Sequence, residues 1–155
     1  MSFIENGFAL PAISEFEKLI SEKTKAIVIC NPNNPTGTVI EKAIIEQAIN
    51  ALPDSLVVID EAYIDFGGES AISLLKDFPN LVIIRTFSKS FCFAGARLGY
   101  VIANPPLIRA LFTTKNSFNH FPVDVLTQKI GVASCDDWQY YSRINRGIAE
   151  TRDSF

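Results

Sequence analysis

Leu81-Val82-Ile83-Ile84-Arg85-Thr86-Phe87-Ser88-Lys89-Ser90-Phe91 reads as a buried strand that runs directly into a polar loop. The β-branched and aliphatic start favours a strand covered on both faces, and the hydroxyl-rich continuation ends it. The same strand-then-loop order occurs twice upstream. Ala26 to Cys30 leads into Asn31-Pro32-Asn33-Asn34-Pro35-Thr36-Gly37, whose Asn, Pro and Gly residues dictate an irregular loop. Leu56 to Ile59 leads into Asp60-Glu61-Ala62-Tyr63-Ile64-Asp65-Phe66. Downstream, Ala94-Gly95-Ala96-Arg97-Leu98-Gly99-Tyr100 introduces a fourth short strand over residues 100–103.

Helical spacing separates these strands. Apolar residues at Ile13, Phe16, Leu19 and Ile20 predict a helix over 11–21, and residues 41–52 read as a second one ended by Pro53-Asp54. A short helix is expected around 70–75. Asn104-Pro105-Pro106 opens another that runs to about Thr114, because proline is tolerated in a first turn. Residues from Val123 onward, and from Asp136 to the end, look helical. Strands alternating with helices imply an α/β fold of three layers, α/β/α, around a mostly parallel sheet. In such sheets ligands bind beyond the carboxyl ends of the strands, which is where Asn34, Asp60 and Lys89 fall.

The bulk composition narrows the possible functions. The 155 residues are 48% hydrophobic and 20% charged, with a formal charge of −3, as in a water-soluble globular protein. No basic block or aromatic cluster suited to RNA is present, so nucleic acid is not an expected partner. The apolar runs are too short to span a bilayer, and Met1-Ser2-Phe3-Ile4-Glu5-Asn6 lacks the basic start and apolar core of a secretion signal. Cys30, Cys92 and Cys135 are widely spaced, form no metal-type pair and suit a reducing cytoplasm. The chain opens inside a loop-and-helix unit and stops at Phe155 within a helical pattern. Its three or four strands would leave sheet edges unprotected, so it is expected to be a piece of a longer protein.

Lys89 carries the sharpest chemistry. A lysine amine is ordinarily protonated in water, with a pKa of about 10.4, and becomes a nucleophile only beside another cation or when partly desolvated. Taken alone, most lysines are solvated surface groups. The neighbours change that reading. Asp60 ends an apolar strand and needs a cationic partner, and a protonated pyridine-type nitrogen would serve. Glu61 and Asp65 lie off the strand end and are the weaker choices. Tyr63 and Asn34 can donate to a phenolate-type oxygen, although core packing and turn formation are their ordinary uses. Thr86, Ser88 and Arg97 combine two hydroxyls with a guanidinium, a set suited to phosphate, and Gly95 and Gly99 would allow close backbone approach around that arginine. His120 stands apart from any Ser/Asp or metal-type spacing, Cys92 has no base partner and reads as a packed thiol, and Arg85 reads as structural.

In this order and spacing, the four segments resemble the fold-type I pyridoxal-phosphate-dependent aminotransferases. The 60–66 and 85–100 stretches are most similar to the histidinol-phosphate aminotransferase branch, as are Lys115-Asn116-Ser117-Phe118-Asn119 and Val123-Asp124. The resemblance covers nearly the whole chain. It implies that residues 1–155 are a central part of a cofactor-binding large domain, with an N-terminal segment and a C-terminal small domain lying outside it. It implies pyridoxal 5'-phosphate as cofactor and Lys89 as the residue that carries it covalently and later moves a proton. Asp60 would pair with the pyridinium nitrogen, Tyr63 and Asn34 with the ring oxygen, and Thr86, Ser88 and Arg97 with the phosphate. Asn119 would lie near the substrate.

The implied reaction moves an amino group between glutamate and imidazole-acetol phosphate in two ping-pong halves, within a cytoplasmic homodimer acting on small amino and 2-oxo acids. Neither nucleic acid nor membrane is implied as a partner. The family's glycine-bearing phosphate loop, the aromatic residue stacked on the ring, the carboxylate-binding arginine and the tyrosine from a second subunit have no match here. Useful transaminase turnover is therefore not expected from this piece alone. An aromatic aminotransferase or a threonine-phosphate decarboxylase of the same fold is the nearest alternative reading, and a non-catalytic aminotransferase-like regulatory domain is the alternative of another class.

Overall fold

A computed structural model describes residues 18–154. The sheet has four strands, β1 (Ala26–Cys30), β2 (Leu56–Asp60), β3 (Leu81–Thr86) and β4 (Gly99–Ala103), in spatial order β1-β2-β3-β4. The first three are parallel, with Ile29 opposite Ile59 and Ile59 opposite Ile83. β4 runs antiparallel to β3, pairing Ile102 with Ile83 and Gly99 with Thr86. That reversal matters for position. The carboxyl ends of β1, β2 and β3 and the amino end of β4 all open on one edge of the sheet, so the four loops singled out in the sequence meet there.

Alternation along the strands sends Ile29, Val57, Ile59, Leu81 and Ile83 to one face. They pack there against Ile45, Ala48, Ile49 and Leu52, contributed by α1 (Lys42–Asn50) and the turn after it, and against Ala71 and Leu74 of the short 3₁₀ helix Ala71–Lys76. The i, i+3, i+4, i+7 spacing of the α1 set is what turns one helix face to the sheet. Each fully buried Ile or Leu here stabilises the fold by roughly 1.5–3 kcal/mol. Asn80 Nδ2 donates to the Leu52 and Ser55 carbonyls and so satisfies backbone acceptors past the end of α1.

The opposite face is less completely covered among the described residues: Val28 is 67% exposed, Val101 39% and Ile84 38%. Helices α2 (Pro105–Phe118), α3 (Val125–Asp136) and α4 (Trp138–Asp153) follow the sheet. Pro105 stands in the first turn of α2, as its missing N–H allows. Asp124 caps α3 by accepting from the Thr127 N–H at 2.9 Å. α3 reaches back to the sheet edge where Gly131 faces Leu98.

The mostly parallel α/β reading holds, with boundary changes. α2 extends to Phe118 rather than stopping near Thr114, since nothing between them breaks a helix. Most of the helix expected over 11–21 lies outside the described residues, and Lys18 to Ser21 form a turn and a coil. Among the described residues no helix is long and apolar enough to cross a membrane.

Candidate active site

Three loops build the site, and in each most residues are spent on holding the loop itself. After β1, Asn31 is fully buried; its side chain accepts from the Ile40 N–H at 2.8 Å and donates to the Ile40 carbonyl at 3.3 Å. Asn33 donates to Thr36 Oγ1 at 2.7 Å, and its carbonyl accepts from the Gly37 N–H at 2.8 Å. Gly37 sits at φ 70°, a conformation glycine adopts without strain. With its neighbours occupied in this way, Asn34 is exposed and points its amide at Tyr63, donating to the phenol oxygen at 3.2 Å.

After β2, two consecutive acids take opposite roles. Asp60, half-buried, accepts from the Ala62 N–H at 3.0 Å through one oxygen. Glu61, 1% exposed, is fully committed to the protein. Its oxygens accept from the Ala71 N–H at 2.7 Å, from Ser70 Oγ, and from Nε and Nη2 of Arg85 at 3.0 and 2.8 Å. Burial alone would depress the Arg85 guanidinium. Its bonds and charge pairing with Glu61, helped by Tyr100, leave it above its usual value overall. Arg85 thus has the structural place expected of it, and Glu61 has no free oxygen to offer a ligand, which leaves Asp60 as the acid on this strand end.

After β3, the Lys89 loop folds on itself. The Cys92 N–H donates to the Lys89 carbonyl, and the Phe93 N–H to the Phe87 carbonyl, both at 2.9 Å. The exposed Lys89 places its Nζ over the Tyr63 ring, 5.2 Å from the centroid, a cation–π approach. Lys89, Tyr63 and Asn34 therefore form one continuous group drawn from three loops. Thr86 accepts from the Ser88 N–H at 3.0 Å and donates to the Leu98 carbonyl at 3.4 Å, so its hydroxyl shapes the turn. Ser88 is half-buried. Arg97 is exposed, at φ 54°, and donates to the Ala94 carbonyl at 3.0 Å. It precedes β4 and so stands on the same sheet edge.

Some expectations change. Cys92, expected to be a packed thiol, is exposed. Gly99 does permit close approach, because a Cβ there would sit 2.9 Å from the Arg85 carbonyl oxygen, whereas one on Gly95 would meet open space. Asn119 lies just past the end of α2, where its N–H donates to the Lys115 carbonyl; among the described residues its side chain bonds to none of the other candidates. Sequence reasoning also missed the tie between Ser90 and Asp65 and an aromatic stack around the lysine loop. In that stack Phe91 lies 4.7 Å from Phe87 and 5.0 Å from Tyr141 of α4, ring centre to ring centre.

A groove of about 590 Å³ adjoins this group, walled by Asn34, Tyr63, Phe66, Gly68, Ile148 and Arg152 among others. Neither Asp60 nor Lys89 lines it, so it lies beside the lysine and shares only the Tyr63–Asn34 wall.

Known proteins resemble this chain in sequence and in structure. A histidinol-phosphate aminotransferase from Syntrophus aciditrophicus is 52% identical over 126 residues, which are 81% of this chain and 35% of that protein. One from Lactococcus lactis subsp. cremoris is 45% identical over 98% of this chain and 41% of its own length. Among solved structures, histidinol-phosphate aminotransferase from Sinorhizobium meliloti, in complex with pyridoxal-5'-phosphate, superposes with a TM-score of 0.75 at 31% identity, covering 85% of this chain and 36% of that one. The chain thus spans well under half the length of these relatives. The family model for aminotransferase class I and II matches residues 9–155, and the chain belongs to that family.

Proposed function

We propose that this chain forms the pyridoxal-phosphate-binding part of an aminotransferase acting on histidinol phosphate or imidazole-acetol phosphate with glutamate or 2-oxoglutarate, in histidine biosynthesis. The observation that carries the reading is the Lys89–Tyr63–Asn34 group at the sheet edge. It sets a primary amine, a phenol and an amide around one point, with Asp60 on the neighbouring strand end. The 40–52% identity to histidinol-phosphate aminotransferases supports the substrate class.

The donor set fits the cofactor. Asp60 keeps acceptor capacity beyond its bond from Ala62 and would hold the pyridinium nitrogen. Tyr63 and Asn34, already bonded to each other, would hold the ring oxygen. Ser88 and Arg97, with Thr86 ordering the turn, would hold the phosphate, and Lys89 would hold the carbonyl carbon. When bound, the cofactor would supply an electron sink. The chain's own contribution is to keep the ring nitrogen charged through Asp60, to keep the ring oxygen ionised through the Tyr63 and Asn34 donors, and to place the Lys89 amine where it can take and return a proton. The acting form is a cytoplasmic homodimer, and Asn119 lies near the substrate.

The test is to add pyridoxal 5'-phosphate to the purified full-length protein, reduce with borohydride and map the labelled peptide. Label concentrated on Lys89 is the expected result. Label scattered over surface lysines overturns the proposal. Turnover with imidazole-acetol phosphate and glutamate is to be measured in the full-length protein.

A further inference from the structure

The Lys89 loop is tied within itself and to the entrance of β4. Its backbone bonds are Cys92 N–H to the Lys89 carbonyl, Phe93 N–H to the Phe87 carbonyl, and Phe87 N–H to the Leu98 carbonyl. None of these reaches the Asp60–Phe66 segment, which supplies the other half of the site. Among the described residues, one hydrogen bond joins residues 87–93 to residues 60–66: Ser90 Oγ donates to Asp65 Oδ2 at 2.5 Å. Ser90 is 2% exposed, whereas Asp65 is exposed, so the serine is fixed in the core and the acid reaches it from the surface.

The placement of this bond is specific. Ser90 follows Lys89, and Asp65 lies two residues after Tyr63. The turn between Tyr63 and Asp65 is held by two backbone bonds, the Ile64 N–H donating to the Glu61 carbonyl at 3.2 Å and the Phe66 N–H to the Tyr63 carbonyl at 3.1 Å. The Ser90–Asp65 bond therefore runs beside the Lys89–Tyr63 contact and joins the same two backbones. A lysine on a flexible four-carbon stem gains reactivity from being held in place, and a small misplacement of its root is felt at its tip.

We propose that Asp65 is a positioning residue for Lys89: its bond to Ser90 fixes the root of the lysine against the Tyr63 segment and so sets the amine within reach of the cofactor. Asp65 touches no reacting atom. The inference rests on the cofactor reading above.

The experiment uses the full-length protein, pyridoxal 5'-phosphate and borohydride, and reads the share of label on Lys89 relative to the other lysines. Wild type is expected to concentrate label on Lys89. Asp65→Ala and Ser90→Ala are each expected to lower that share by about threefold to tenfold, the scale of one net hydrogen bond, and the double variant no further, because both remove the same bond. Asp65→Asn keeps a carbonyl acceptor and is expected to retain the wild-type share. Asp65→Ala leaves the buried Ser90 hydroxyl without its partner and is expected to lower the melting temperature while the protein stays folded, and the exposure of Asp65 keeps the test valid even if the buried Ser90→Ala unfolds.

Concentrated label in wild type with an unchanged share in Asp65→Ala overturns this inference alone. The same holds if Asp65→Asn is as poor as Asp65→Ala, or if the loss in Asp65→Ala comes with altered labelling of all lysines. Scattered label in wild type overturns the cofactor reading and this inference with it.

Discussion

Glu61 and Arg85 meet across the second and third strands, with two nitrogens of the guanidinium converging on one carboxylate oxygen at 3.0 and 2.8 Å. The side chain of Glu61 is fully buried and that of Arg85 is 21% exposed. The pair locks together the strand ends that carry Asp60 and lead to Lys89. Removing one partner strands the other in a poorly hydrated place. Glu61→Ala is therefore expected to destabilise the chain by about 3–5 kcal/mol, read from urea unfolding, with the partial exposure of Arg85 drawing the value to the lower end. A loss under about 1 kcal/mol, the level of a surface pair, would show the network to be dispensable.

Gly99 and Gly95 flank Arg97 and should respond differently to the same change. A methyl on Gly99 meets a backbone oxygen at 2.9 Å, which cannot swing aside without shifting β3 against β4. Gly99→Ala is expected to cost about 1–3 kcal/mol, as overpacking does. Gly95→Ala, with open space around it, is expected to stay within about 0.5 kcal/mol of wild type. Equal unfolding midpoints for the two variants would contradict this.

At the proposed cofactor site, Lys89→Ala is expected to leave only the scattered borohydride-fixed label of the other lysines. Asp60→Ala is expected to weaken pyridoxal 5'-phosphate binding by about 10- to 100-fold, the scale of a charge-assisted hydrogen bond of about 1.5–3 kcal/mol. Tyr63→Phe, which removes a neutral donor, is expected to cost less than about tenfold. An absorbance titration ranks the three; an Asp60→Ala chain that binds as tightly as wild type would remove the acid from the site.

Asp124 gives a pH signature separate from the site. The hydrogen bonds of its carboxylate to Thr127 hold it below the usual carboxylate value of 3.8. A depressed folded-state pKa contributes stability above the unfolded value, and that contribution is lost as pH falls through the folded one. Asp124→Ala is expected to lower stability near neutral pH and to flatten the fall below about pH 4. Far-UV circular dichroism against pH would test this, and an acid limb of unchanged steepness would count against it.

Much of this was readable before any coordinates. The aliphatic runs marked the strands because buried strands require such runs, and the loops after them marked the sheet edge on which they meet. The Glu61–Arg85 pair was also within reach. Glu61 lies two residues beyond Ile59 and Arg85 two beyond Ile83, and those isoleucines are register partners, so alternation puts both charges on the covered face. What hid the pair was the register itself, which no single strand reveals. The Ser90–Asp65 bond and the Phe91–Tyr141 contact were less accessible, because each depends on how irregular loops and a distant helix settle over the sheet. Asn119 was placed by analogy alone, and its side chain bonds to none of the residues assembled at the sheet edge.

The aromatic stack that leads from the lysine loop into α4 has a practical consequence. Trp138, the chain's single tryptophan, precedes by one helical turn the Tyr141 that touches Phe91. It is 59% exposed and plays no part in the site. A natural fluorophore thus sits on the helix that leans against the loop a pyridoxal chromophore would occupy. Quenching of its emission would report loading of that loop in real time, with no added dye.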